Sequence, residues 1–351
     1  NTGSTGTYNI GLRVPLMRGW RTNAREAAER QARIGEPLAD ASFADVRLDT
    51  LYNAATQYWN WVAAHRRVQV AQSLLNVAVE REKQIADEVK GGIRQGIDAF
   101  EAEVEVRRRQ EALSKSEQEF QKEQFKFGLY LWSSEGKREA YPPAEQVPTS
   151  TPTPVAYSAS RLEKERVRAT ESRPEIRSIR LAKAILKVDQ EVAKNDLLPN
   201  VDIVVNPAID TGANSIGGQM KVGLQFAVPL ERRTAQGKLG EVRLKLEKLQ
   251  QEEQLQKQQI EVEVDTAFAN INQTYLRYLA ATQEVEAARA LEKGERDRLA
   301  LGEGTLFLVN QRERATAEAQ IKVINIQAEY EQAVVAYLAS TRSEEHTSEL
   351  Q

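Results

Sequence analysis

The chain has 351 residues, with 48 lysines and arginines against 51 aspartates and glutamates, a net charge of −3. So balanced a sum argues against a nucleic-acid binder, which needs a basic surplus. The absence of cysteine excludes disulfides, thiolate catalysis and thiolate metal sites. The only histidines, His65 and His346, lie far apart, so a histidine-based metal or catalytic centre is not indicated. Mean hydropathy is −0.55, and no apolar run approaches the roughly 18 residues of a membrane-spanning helix.

The N-terminal stretch Asn1–Gly6 reads as a loop without a signal peptide, and the true start of the protein is expected upstream. Thr7–Leu16 then alternates cleanly. Tyr8, Ile10, Leu12 and Val14 share one face, with Thr7, Asn9, Gly11 and Arg13 on the other. About ten alternating residues match a tilted transmembrane β-strand, apolar toward lipid and polar toward a lumen; an amphipathic strand of a soluble sheet has the same pattern.

Leu38–Lys90 follows without glycine or proline and is rich in strong helix formers. Its apolar residues recur at three-four spacing, through Leu48, Leu51, Ala55, Tyr58 and Val62, as in a coiled-coil seam. Pro37 predicts a kink or local break near its top. Trp59 and Trp61, two apart, cannot share a helix face, so at least one is expected at a helix–helix contact. His65 reads as a surface or seam residue. The breaker Gly91-Gly92-Ile93-Arg94-Gln95-Gly96 precedes a returning helix from about Asp98 to Leu131.

Five of the eleven prolines then fall between Pro142 and Pro154, which marks residues 133–160 as a boundary segment. A helix is expected over Arg161–Asp196, then strands at Asn200–Asn206 and Gln219–Val228. In the latter Met220, Val222, Leu224, Phe226 and Val228 oppose Gln219, Lys221, Gly223, Gln225 and Ala227. Glu241–Lys293 is a second run free of glycine and proline. Its seam is imperfect around Glu253 and Gln256. A second breaker, Gly302-Glu303-Gly304-Thr305, leads to a helix from about Leu306. Residues 342–351 resemble the translation of a sequencing-adapter oligonucleotide and are left out of the fold reading.

The halves match each other. Ile10-Gly11-Leu12 corresponds to Val222-Gly223-Leu224, Val14-Pro15-Leu16 to Val228-Pro229-Leu230, and Arg21-Thr22 to Arg233-Thr234. A period near 210 residues is too long for a solenoid and means two similar hairpins. The fold class read from this is mainly α with a small β part: duplicated hairpins of long helices, each about 100 Å at 1.5 Å per residue. The organisation is 1–17, first loop and strand; 18–132, first hairpin with its tip at about 89–98; 133–160, linker; and 161–197, a helix leading to the sheet. It continues with 198–230, second strands and loop, and 231–341, second hairpin with its tip at about 299–306.

The order and duplication of these pieces resemble the TolC-type outer-membrane efflux family. The most specific stretches are Arg298–Glu313, Ser172-Arg173-Pro174-Glu175-Ile176-Arg177 with Leu197-Leu198-Pro199-Asn200-Val201, and Tyr58-Trp59-Asn60-Trp61. The resemblance implies a homotrimer in the outer membrane of a Gram-negative bacterium, with most of the chain in the periplasm. Four strands per protomer would close a shared 12-stranded β-barrel above a trimeric helical barrel; three of the four are expected in this chain. It implies passive conduction as the exit duct of a tripartite pump or type I secretion system. The partners would be a periplasmic adaptor (membrane fusion) protein, an inner-membrane pump of RND or ABC type, and outer-membrane lipid. An adaptor-docking tip would include Gly91, Gly92, Ile93, Gly302, Glu303, Gly304 and Thr305. The family's acidic ring falls here on Leu308 and Gln311, leaving Asp98 and Glu303 as gate candidates. Arg13, Lys221 and Gln225 would line the barrel lumen. No cofactor is implied, and the sequence holds no phosphate loop or nucleophile–base pair that argues for an enzyme. A soluble coiled-coil scaffold and a periplasmic adaptor are the competing readings.

Overall fold

In a computed structural model, residues 7–133, 135–137, 140–210, 218–228 and 232–341 are described. The expected loop at Asn1–Gly6, the Pro229-Leu230 match and the tail 342–351 lie outside them. The elements in order are β1 (Thr7–Asn9), β2 (Leu12–Pro15), α1 (Ala24–Lys90), α2 (Gly96–Phe127), α3 (Ala159–Ser172), α4 (Pro174–Asn195), β3 (Asn200–Asp210), β4 (Gly218–Ala227), α5 (Arg233–Ala300) and α6 (Leu306–Thr341). Two compact units are formed, Asn1–Asp45 with Ser172–Gln259, and Val46–Glu171 with Ile260–Gln351.

In the first unit, β3 is the middle of an antiparallel sheet. It pairs with β1 and β2 on one side and with β4 on the other. β1 and β2 form a single lane interrupted at Ile10-Gly11, where the Ile10 N–H still donates to the Pro207 carbonyl at 3.1 Å. β3 runs four residues beyond the expected Asn206, because β4 supplies a partner as far as Ile209.

The helix α1 has 67 residues and passes Pro37 unbroken, contrary to the expected break. Proline deletes one backbone donor. About two turns upstream, α1 is tied to α4 by Arg30–Glu191 at 2.6 Å and Gln31–Asp189 at 2.7 Å. The single helix expected over Arg161–Asp196 is instead two. Arg173, just before Pro174, is extended (φ −65°, ψ 139°), since the proline ring disfavours the helical conformation of the residue before it. The imperfect seam of α5 has an ionic explanation. Glu253 accepts from Lys183 of α4 at 2.9 Å, with Lys257 at 3.3 Å and Arg180 at 3.5 Å. Hydrogen bonding to Lys183 holds its carboxyl down at about 2.

In the second unit, the proline-rich segment is a belt across helices. Its Val147 is buried against Trp61 and Val62 of α1. Both tryptophans meet the helix contact, Trp61 at its centre and Trp59 half-buried against the same cluster. Trp61 is 1% exposed and stacks on Phe127 and Phe120 of α2, with centroids 5.4 and 6.5 Å away. His65 lies in the same seam, 5.3 Å from the Phe120 ring, and burial pushes its pKa down. Farther along, Arg66 donates to Thr151 Oγ1 at 2.8 Å, and Gln327 of α6 donates to the Pro152 carbonyl at 2.9 Å. The Tyr330 hydroxyl accepts from the Val155 N–H and donates to the Val155 carbonyl, at 3.1 and 2.8 Å. The Tyr157 N–H donates to Asn272 of α5 at 3.0 Å. Side chains thus satisfy backbone groups that the prolines keep out of any helix.

Candidate functional site

The sheet of the first unit is two-faced. Cross-strand partners in an antiparallel sheet point to the same side. The register pairs Arg13 with Val204, Gln225 with Asp202 and Lys221 with Asn206, so the three residues expected to share a polar face do share one. Asp202 on this face is 2% exposed, with Arg13 Nε 3.7 Å from its carboxylate. Gly11 leaves room for Asn206 here, because a Cβ at Gly11 would stand 2.6 Å from Asn206 Oδ1. On the opposite face, Leu12 pairs with Val205 and Val14 with Ile203, beside Val222 and Leu224. Met220, Val222, Leu224 and Phe226 are 62–72% exposed. An apolar band this open is unusual on a water-facing sheet.

The two turns of the second unit are built alike. After α1, the Gly92 N–H donates to the Val89 carbonyl at 3.0 Å and the Ile93 N–H to the Glu88 carbonyl at 2.9 Å. After α5, Gly302 donates to Leu299 at 3.0 Å and Glu303 to Arg298 at 2.9 Å. This is a helix end closed by a left-handed glycine. Gly304 is needed for a second reason: a Cβ there would lie 2.9 Å from the Leu299 backbone nitrogen. Gly91, by contrast, has room for a methyl group. Thr305 caps α6, its hydroxyl accepting from the Leu308 N–H at 3.3 Å. Ile93, Ile97, Leu301 and Phe307 are exposed around the turns, whereas Leu306 is buried against Ile85 and Ala102.

The two gate candidates differ. Asp98 has Arg94 as a partner at 3.7 Å, and Arg94 also pairs with Glu88. Glu303 is exposed at the apex of its turn. Leu308 is half-buried and Gln311 exposed.

Behind the turns lies an ion cluster that the sequence reading missed. Glu313 of α6 is 1% exposed. It accepts from Arg109 of α2 at 2.7 Å, from Arg81 of α1 at 2.9 Å, and from Arg296 of α5 at 2.7 and 3.0 Å. Arg109 is itself fully engaged, donating also to Glu105 at 3.0 Å and to the Leu74 carbonyl at 2.8 Å. Burial pushes the Glu313 carboxyl upward, but hydrogen bonds from Arg81, Arg109 and Arg296 outweigh it and hold it at about 2. The sequence did hold a signal. Leu306, Val309 and Glu313 follow three-four spacing, which puts a charge on the buried stripe of α6.

Among the described residues no group of His, Cys, Asp or Glu could hold a metal ion, and no helix is long and apolar enough to cross a membrane. The arrangement offers surfaces: a two-faced sheet and paired turns at the ends of long helices.

Such a fold, duplicated hairpins of very long helices joined to a two-faced antiparallel sheet, is that of the TolC-family outer-membrane channels. Three solved structures illustrate the likeness, each matching 96% of this chain. The outer-membrane channel OprN has 16% identity, 80% of its length covered and a TM-score of 0.71. CusC has 13% identity, 83% covered and a TM-score of 0.77. The CmeC outer membrane channel of Campylobacter jejuni has 13% identity, 77% covered and a TM-score of 0.72. No protein-family model and no curated protein matches the sequence. At such identities the likeness establishes the fold.

Proposed function

We propose that the chain is one protomer of an outer-membrane exit duct, conducting substrates passively from periplasm to exterior. The observation that carries this is the two-faced sheet, with its open band of Met220, Val222, Leu224 and Phe226 opposite Arg13, Asp202, Lys221 and Gln225. Lipid accounts for the apolar band, and a water-filled lumen lined by Arg13, Lys221 and Gln225 accounts for the other face. A bilayer tolerates no unpaired sheet edge, and the outer edge of β4 is unpaired among the described residues. Closure with two further copies, as a homotrimer whose 12-stranded barrel takes a fourth strand from each protomer besides the three lanes described, removes that edge.

The turns Gly91–Ile93 and Gly302–Thr305 form the docking surface for a periplasmic adaptor, through which an inner-membrane pump of RND or ABC type, in a tripartite efflux or type I secretion assembly, delivers its cargo. The exposed Ile93, Ile97, Leu301 and Phe307 give that surface apolar contact area. Glu303, repeated three times about the axis, supplies negative charge at the entrance; Asp98 is a weaker candidate because Arg94 offsets its charge. The role requires no catalysis and no cofactor.

The test is reconstitution of detergent-purified protein into planar bilayers. Stepwise conductance from a trimeric species supports the proposal. A protein that stays soluble and monodisperse without detergent, and gives no conductance, overturns it in favour of a coiled-coil scaffold.

A further inference from the structure

We propose that Glu313 is the positioning residue that fixes the two turns relative to one another, so that the four helix ends of one chain move as a single body. Three observations carry this. The carboxylate is buried, so water cannot replace its partners. Its partners Arg81, Arg109 and Arg296 come from three different helices, and the carboxylate itself from the fourth. The cluster sits one to two helical turns behind the second turn, since Arg296 precedes the end of α5 at Ala300 by one turn and Glu313 is two turns into α6, and it reaches the first hairpin farther back, at Arg81 before Lys90 and Arg109 after Gly96. Asn310 tightens it, accepting from Arg81 at 2.9 Å.

The cluster is held on both oxygens. Oε1 takes the Arg296 donors, Oε2 takes Arg109, and Arg81 bridges the two with one nitrogen on each. A helix end cannot shift by a few ångströms without breaking a charged hydrogen bond to the Glu313 carboxylate, which is 1% exposed and out of reach of water, even though Arg109 and Arg296 keep Glu105 and Glu292 as second partners. Small motions are therefore suppressed within a chain, and any movement that widens an assembled entrance must displace the four ends together. The consequence for docking rests on the exit-duct reading; the positioning itself does not.

The chain has no native cysteine, so labels can be placed at will. Spin labels at Ile93→Cys and Leu301→Cys, both exposed, report the turn-to-turn distance by pulsed electron resonance. A control pair at Lys122→Cys and Leu276→Cys reports the helices away from the cluster. Labelled full-length chains are diluted with unlabelled ones, so that only intrachain distances are read. The native chain should give one narrow turn-to-turn distance, unchanged between pH 8 and pH 5. Glu313→Gln should broaden that distribution at least twofold and leave the control pair narrow. Arg296→Gln, at a half-exposed site that the fold tolerates more readily, should broaden it less but measurably. A turn-to-turn distance that stays narrow in both variants overturns the proposal. So does equal broadening of both pairs in both variants, which is general loosening. The readout is independent of whether the chain conducts or docks a partner.

Discussion

Gly92 and Gly302, 210 residues apart, take the same left-handed backbone conformation, with φ of 75° and 77°. The two hairpins therefore share a turn geometry as well as a sequence pattern. An L side chain in that region costs about 1–2 kcal/mol. Gly92→Ala and Gly302→Ala should each raise amide exchange at their own turn by about tenfold and leave the helices beyond unchanged. Gly91→Ala, where a methyl fits, should have no effect.

Glu313→Gln should destabilise the second unit by about 3–5 kcal/mol, because it removes the buried charge that pairs with Arg109, which is itself 2% exposed. Chemical denaturation followed by circular dichroism measures this. The native pH dependence has a defined sign. The folded pKa of about 2 lies below the unfolded value near 4.3, so the stabilisation is complete above pH ~4.3 and disappears as pH falls toward 2. The cluster should thus be indifferent to pH across the neutral range.

Glu331 has the opposite sign. Burial raises its carboxyl to about 7, and its Oε1 has no hydrogen-bond partner among the described residues. Folded chains then bind a proton that unfolded chains release, so stability is highest below pH ~4.3 and declines as pH rises through 7. Glu331→Gln should raise the melting temperature at pH 8 and leave it nearly unchanged near pH 4.5. An equal shift at both values would show that ionisation of Glu331 is not the cause.

Trp61→Ala should cost about 3–5 kcal/mol, since the indole fills the contact among α1, α2 and the belt. Limited proteolysis should then cut between residues 133 and 160 much faster than in the native chain. Tyr330→Phe, which removes only the two hydrogen bonds to Val155, should speed the same cleavage to a smaller degree.

The sheet provides a paired test. Leu224→Arg and Gln225→Arg add the same charge one residue apart, on opposite faces. Burial of an arginine against lipid at mid-bilayer costs about 2–4 kcal/mol, whereas a lumen position stays wet. Leu224→Arg should reduce the membrane-assembled fraction severalfold, and Gln225→Arg should leave it near native. Equal behaviour of the two variants would count against a lipid-facing band.

The sequence by itself determined the periodic features. Composition and spacing show the long helices as runs without glycine or proline, the strands as alternation, and the turns as glycine clusters at matching offsets. These are local properties, fixed by backbone preference and side-chain period. Only the tertiary structure decided where local rules yield to partners. Pro37 sits in an unbroken α1 that α4 ties down about two turns upstream. Arg161–Asp196 divides at Pro174. Glu253 mends an apparently broken seam because Lys183 arrives from another helix. Glu313 was written in the chain as a charge on an apolar stripe. Its arginines, however, come from residues 81, 109 and 296, and no local period relates positions so distant. Charges of opposite sign meet only when the fold brings them together, and the cost of burying them makes that meeting specific.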